Sequence, residues 1–156
     1  MGTTGAGKTT VGKLLAGQLK WEFADADNFH PPANIEKMSH GIPLTDADRA
    51  PWLAAMRKAI LEWIAAGKNV VLACSALKRA YRDELLAGPE VRIIYLKGTY
   101  ALFAERIRHR HGHFAGEGIL AGQFADLEEP TDAITIDAAQ SSEQIVAEIR
   151  KRLALA

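Results

Sequence analysis

A chain of 156 residues is the size of one average domain, so one core and one site are expected. Nineteen Lys and Arg balance nineteen Asp and Glu, which excludes a protein held to nucleic acid or an anionic membrane by bulk charge. Hydrophobic content of 48% with 24% charged residues excludes a disordered chain, no apolar run reaches the roughly 18 residues of a membrane span, and the lone Cys74 can supply neither an internal disulfide nor a cysteine metal cluster. With no basic-then-apolar leader at the start, the expectation is a soluble, cytoplasmic protein.

The chain opens on Gly2-Thr3-Thr4-Gly5-Ala6-Gly7-Lys8-Thr9, followed by Thr10, which has the spacing of a phosphate-binding loop. The glycines let successive N–H groups turn inward as a nest for phosphate oxygens. Val11, Leu14, Leu15 and Leu19 then recur at helical spacing, so a helix N-terminus faces the same anion. Lys8 is expected to reach the β- and γ-phosphates and Thr9 to ligate Mg²⁺. Such a loop follows a buried strand, yet only Met1 stands before Gly2. The expectation is that Met1 is an internal residue of a longer chain, because loss of a central strand would remove about five apolar side chains, each worth about 1.5–3 kcal/mol.

Glu22-Phe23-Ala24 reads as a strand ending at Asp25, with Asp25 and Asp27 on one side of an extended backbone. One carboxylate suits Mg²⁺ and the other a proton from an attacking hydroxyl. Residues 52–64 read as an amphipathic helix stopped near Gly67. Apolar runs at 69–74, 91–96 and 133–137 read as further strands, and 78–87, 99–110 and 141–154 as helices. This alternation predicts a three-layer α/β/α fold around a parallel sheet, with ligands beyond the carboxyl ends of the strands. Within 106–113, six of eight residues are Arg or His, whereas 114–148 holds eight acids and no Lys or Arg. The His spacing and neighbouring arginines oppose a zinc site.

Three blocks are more specific than the loop. They are Asp25-Ala26-Asp27-Asn28-Phe29-His30-Pro31 with Asn34 to Met38, Gly41 to Leu53, and Cys74 to Arg82. Together with Tyr95 to Gly98, Arg110 to Phe114, and Gln123-Phe124 with Leu127 to Pro130, they resemble the gluconokinase family, similar in fold to shikimate kinase and the nucleoside monophosphate kinases. The resemblance runs from residue 2 to about 137. It implies a single P-loop kinase domain over 1–156, with a substrate segment at about 27–53 and a mobile lid at about 108–122.

It further implies transfer of the ATP γ-phosphate to the 6-hydroxyl of D-gluconate. Arg49, Lys78 and Arg82 are expected to hold the gluconate carboxylate, and His30, Asn34, Lys37 and Ser75 the hydroxyls, with His113 also at the substrate. By analogy with shikimate kinases, Asp27 orients and deprotonates the attacking hydroxyl, while Asp25 sits nearer Mg²⁺. Arg110, and next Arg106, would bring cations to the phosphates from the lid, with Gly112, Gly116 and Gly118 giving it flexibility. Trp52 reads as a packing residue. A homodimer is a family-level expectation. The alternatives are an ATP-binding protein without turnover and another small-molecule kinase such as shikimate kinase.

Overall fold

The computed structural model describes residues 1–111 and 115–156. In chain order its elements are α1 (Lys8–Leu19), β1 (Glu22–Asp25), α2 (Pro32–Ser39), α3 (Asp46–Ala65), β2 (Val70–Ala73), α4 (Arg79–Leu85), β3 (Ile94–Lys97), α5 (Tyr100–His111), α6 (Ala115–Asp126), β4 (Ile134–Asp137) and α7 (Ser142–Arg152). A 3-10 turn over Ala26–Phe29 follows β1. All four strands fall within a residue or three of their predicted positions. The helix over 32–39 is additional to the sequence reading.

The strands form two parallel pairs. β1 pairs with β2, Glu22 opposite Val70 through Asp25 opposite Ala73, and β3 pairs with β4, Ile94 opposite Ile134 through Lys97 opposite Asp137. This register brings the carboxyl ends of all four strands into line with the phosphate loop. The backbone of Met1 and Gly2 bridges the pairs: Leu96 N–H donates to the Met1 carbonyl at 3.0 Å, and Gly2 N–H to the Ser75 carbonyl at 3.2 Å. Among the described residues no strand joins β2 to β3.

Each pair has its own apolar cluster. Val11 and Leu15 of α1 pack with Leu96, Phe103, Ile136 and Ile149, joining α1, β3, α5, β4 and α7. Trp52, Met56 and Ile60 of α3 pack with Cys74, Ala76 and Leu85 on the other side. Burial pushes the Cys74 thiol up to about 11, leaving it inert as a nucleophile.

Two elements differ from the sequence reading for physical reasons. α3 begins at Asp46, well before the apolar periodicity starts at Trp52, because a capping box nucleates it. Thr45 Oγ1 accepts from Asp48 N–H at 3.1 Å and Asp48 Oδ2 accepts from Thr45 N–H at 2.9 Å. The first turn is polar, so periodicity cannot reveal it. Gly116 and Gly118, expected to loosen the lid, lie inside α6. Gly116 is a packing requirement instead: a Cβ there would stand 2.3 Å from Cγ2 of the buried Ile107 on α5, whereas at Gly118 a Cβ meets nothing within 4 Å.

The two glycines should therefore respond oppositely. Gly118→Ala should stabilise the fold by about 0.5–1 kcal/mol through helix propensity, while Gly116→Ala should destabilise it by about 1–3 kcal/mol through overpacking. Denaturant titration of both variants checks this, and the same sign at both positions would contradict the packing of α6 on α5.

Candidate active site

The phosphate loop occupies the turn from the inner sheet edges into α1. Gly5 sits at φ 83°, and a Cβ there would meet the Phe103 Cβ and carbonyl at 3.1 Å, so only glycine lets the loop lie on α5. Gly7, at φ 92°, is the N-cap of α1, which leaves the first N–H groups of the helix without intrahelical partners. Lys8 opens the helix, and its ammonium donates to the Thr3 carbonyl at 3.0 Å. Burial lowers the Lys8 pKa; Cys74, Asp27 and Asp25 act against that shift and Arg110 adds to it. Thr9 and Thr10 lie exposed on the first turn of α1.

Beyond β1 the backbone leaves the extended conformation at once. Asp25 Oδ1 accepts from Asp27 N–H at 2.9 Å and caps the 3-10 turn. The expected pair on one face of a strand is thus corrected: Asp25 shapes the turn, and Asp27 is exposed on it. Ala26 is buried beneath, and its carbonyl accepts from Trp52 Nε1 at 2.7 Å.

Trp52 is the packing residue expected, and it also sets His30, whose ring stacks on the indole at 4.6 Å between centroids. Asn34, itself buried, donates through Nδ2 to the Asp48 carbonyl at 2.8 Å and meets His30 Nδ1 at 3.2 Å. An amide nitrogen can only donate, so Nδ1 accepts and neutral His30 carries its proton on Nε2. Burial lowers the His30 pKa, which favours that neutral form. Asn34 therefore positions His30; its own amide nitrogen is already committed.

The acceptor-side cations are paired with carboxylates of α3. Lys37 binds both oxygens of Asp48 at 2.8 and 2.9 Å. Lys78 reaches Asp46 at 3.2 Å, Arg49 stands 3.9 Å from the same carboxylate, and Tyr81 donates its hydroxyl to it. Ser75 lies between β2 and Lys78, with its carbonyl on Gly2. Arg82 does not fit the expected carboxylate clamp. It is 5% exposed, and its guanidinium donates to the carbonyls of Ala76, Leu77 and Glu128. It holds in shape the loop where Ala76 adopts φ 47°.

On the nucleotide side, a cleft of about 650 Å³ is lined by Gly5, Gly7, Thr10, Arg110 and Gln140, among others. Arg110 is exposed in that lining. Arg106 is corrected from its expected role: it donates to the carbonyls of Gly5 and Ala138, so it braces the loop against the end of β4. Arg108 pairs with Glu117 at 2.5 Å, tying α5 to α6. His113 and Gly112 lie outside the described residues. Sequence reasoning assigned no role to Asp46, Tyr81 or Gln123, although all three stand inside the blocks that carry the resemblance.

A phosphate loop heading a helix, with a lysine in its mouth and paired polar side chains gathered beyond β1 and β2, has the make-up of a P-loop kinase. The family model described as shikimate kinase matches residues 4–154. Gluconokinase of Gluconobacter oxydans (strain 621H) is 47% identical over 133 residues, 85% of this chain and 75% of that protein. The thermoresistant gluconokinase of Escherichia coli (strain K12) is 43% identical, covering 94% of this chain and 87% of that one. The crystal structure of a gluconokinase from Sinorhizobium meliloti 1021 superposes with a TM-score of 0.84 at 40% identity, over 99% of this chain and 93% of that one. The chain belongs to the gluconokinase family, within the shikimate kinase type of ATP-dependent kinases.

The Asp48 pair gives a pH test. Hydrogen bonds from Lys37 and then from the Thr45 backbone hold its carboxyl at about 2, below the ordinary 3.8. A depressed carboxylate stabilises the fold above its unfolded pKa and loses that contribution as pH falls through the folded one. Asp48→Asn should thus lower the melting midpoint at neutral pH, with the gap to the parent closing between pH 4 and 2. Melting curves across that range check it; a gap independent of pH would contradict the pairing.

Proposed function

We propose that the chain transfers the γ-phosphoryl group of ATP to the 6-hydroxyl of D-gluconate, giving 6-phosphogluconate and ADP. The observation that supports the residue roles is the phosphate loop itself, with the Lys8 ammonium on the Thr3 carbonyl at the head of α1 and Asp27 exposed on the turn beyond β1. The backbone N–H groups of Gly5 and of Gly7 to Thr10 cradle the phosphates, those of Gly2, Thr4 and Ala6 being engaged within the fold, and Lys8 reaches the transferring group. Arg110 adds charge from α5 where negative charge develops.

Asp27 accepts the proton of the attacking hydroxyl, its exposed position on the turn leaving it open to an acceptor. His30 donates from Nε2 to a gluconate hydroxyl, with Asn34 and Trp52 fixing the ring. Lys37 and Ser75 are further hydroxyl partners, and Arg49 and Lys78 take the carboxylate, exchanging their contacts with Asp46 for it.

Among the described residues no three His, Cys, Asp or Glu cluster as a metal site. That suits Mg²⁺ bound chiefly by the phosphates of ATP, with the Thr9 hydroxyl and Asp25 completing its shell. Bound there, the ion would offset phosphate charge. Among the described residues no helix is long and apolar enough to cross a membrane; a cytoplasmic location and a homodimer accord with the family and complete the reading.

ADP release should depend on gluconate and stay at background with shikimate, gluconate epimers and nucleoside monophosphates; activity with shikimate alone would overturn the assignment. Asp27→Asn should reduce kcat by about 100-fold or more while leaving ATP affinity within about twofold, and comparable turnover would remove Asp27 as the base. Arg110→Lys keeps charge but loses two-pronged contact, so kcat should fall by about tenfold or more; single-turnover measurements of both variants separate chemistry from binding.

A further inference from the structure

One contact joins the lid-side helix to the phosphate nest. Thr4 N–H donates to Gln123 Oε1 at 2.6 Å, across 119 positions of sequence. Because the Thr4 nitrogen is a donor, the atom facing it must be the carboxamide oxygen, which settles the orientation of the amide. The same carboxamide carries Nε2, whose two N–H groups lie within the span of one amide group from that contact.

The contact is held from several directions. Phe124, the next residue, packs on Tyr100 and Phe103 of α5 at 5.5 and 6.1 Å between ring centroids. Phe103 is also the residue that backs Gly5, so α5 supports both the loop and the aromatic anchor of α6. Past the end of α6, Glu128 N–H donates to the Leu77 carbonyl at 2.9 Å, and Arg82 donates to the Glu128 carbonyl at 2.7 Å. Gln123 therefore sits on a segment tied at one end to the nucleotide side and at the other to the acceptor loop.

We infer that Gln123 is a donor-specificity residue: its oxygen aligns the Thr4 N–H at the mouth of the loop, and its Nε2 extends the nest with side-chain donors for the terminal phosphoryl group of a nucleoside triphosphate. A carboxamide is the side chain this requires. Glutamate would keep the acceptor but remove the donors and set a negative charge beside the phosphates. Methionine would keep the length and supply neither. The inference rests on the reading that this loop binds ATP, and goes beyond it in assigning γ-phosphate recognition to α6.

The test is calorimetric titration of the purified chain, without acceptor, with ADP and with a non-hydrolysable β,γ-imido analogue of ATP. In Gln123→Met the analogue should bind about tenfold more weakly, the scale of one lost hydrogen bond to a charged group, and in Gln123→Glu more weakly still. ADP affinity should stay within about twofold in both. The melting midpoint without nucleotide should fall in Gln123→Met and hold in Gln123→Glu, which retains the Thr4 bond. Equal weakening of both nucleotides, or unchanged affinity for the analogue in a folded variant, would overturn the inference and leave Gln123 a structural cap. Because no acceptor is present, the outcome is independent of whether gluconate is the substrate.

Discussion

The conformation of the phosphate loop is the constraint from which the rest of the site is measured. An anion nest works only if several N–H groups point to one place, and a loop that is free to relax would turn them to water or to each other. Here Gly5 lies directly on Phe103, Arg106 ties the Gly5 carbonyl to the end of β4, and Gln123 takes the Thr4 N–H. The loop is thus gripped by α5, β4 and α6 while its own helix, α1, points its N-terminus into the mouth. Lys8 is half-buried at the head of that helix, its ammonium on the Thr3 carbonyl, and burial lowers its pKa. A site prepared in this way attracts a phosphate and an acceptor together.

The acceptor side is ordered by a different means. Its cations are arranged by carboxylates of α3, with Asp48 fixing Lys37 and Asp46 engaging Lys78 and Tyr81. The exposed pairs to Asp46 add little stability; their consequence is geometric, because they hold long flexible side chains in place where, in the proposed function, an acidic sugar takes over the contacts. Neutral recognition is more rigid. His30 is clamped between the Trp52 ring and Asn34, and Trp52 is in turn anchored on the Ala26 carbonyl beneath the turn bearing Asp27. The proposed base and the proposed hydroxyl donor therefore share one support.

Much of this was legible in the chain. The Gly-rich opening, the apolar runs of the four strands and the helical spacing after the loop are local signals, and each element lies close to where they put it. The blocks around His30, Trp52 and Lys78 pointed to the acceptor pocket. What the sequence misplaced has a common cause. Arg82 and Arg106 were expected as ligands because a guanidinium suits carboxylate and phosphate, and both instead serve backbone carbonyls brought to them by distant segments. Gly116 looked like a hinge because glycine is flexible in isolation, and it is required by the proximity of Ile107. Asp25 looked like a partner of Asp27 along a strand, until its own side chain turned the backbone.

The sequence by itself determined the chemistry on offer: a nest and lysine for phosphate, carboxylates beside it, and an acceptor segment rich in hydrogen-bonding groups. These follow from residue type and short spacing, since backbone conformation and helix or strand periodicity are set within a few residues. Only the tertiary structure decided which polar groups remain available for a ligand and which are consumed by the fold. That division depends on partners far apart in the chain, such as Thr4 with Gln123 and Arg82 with Glu128. A buried donor or acceptor must find a partner wherever packing places one, and local sequence carries no record of where that is.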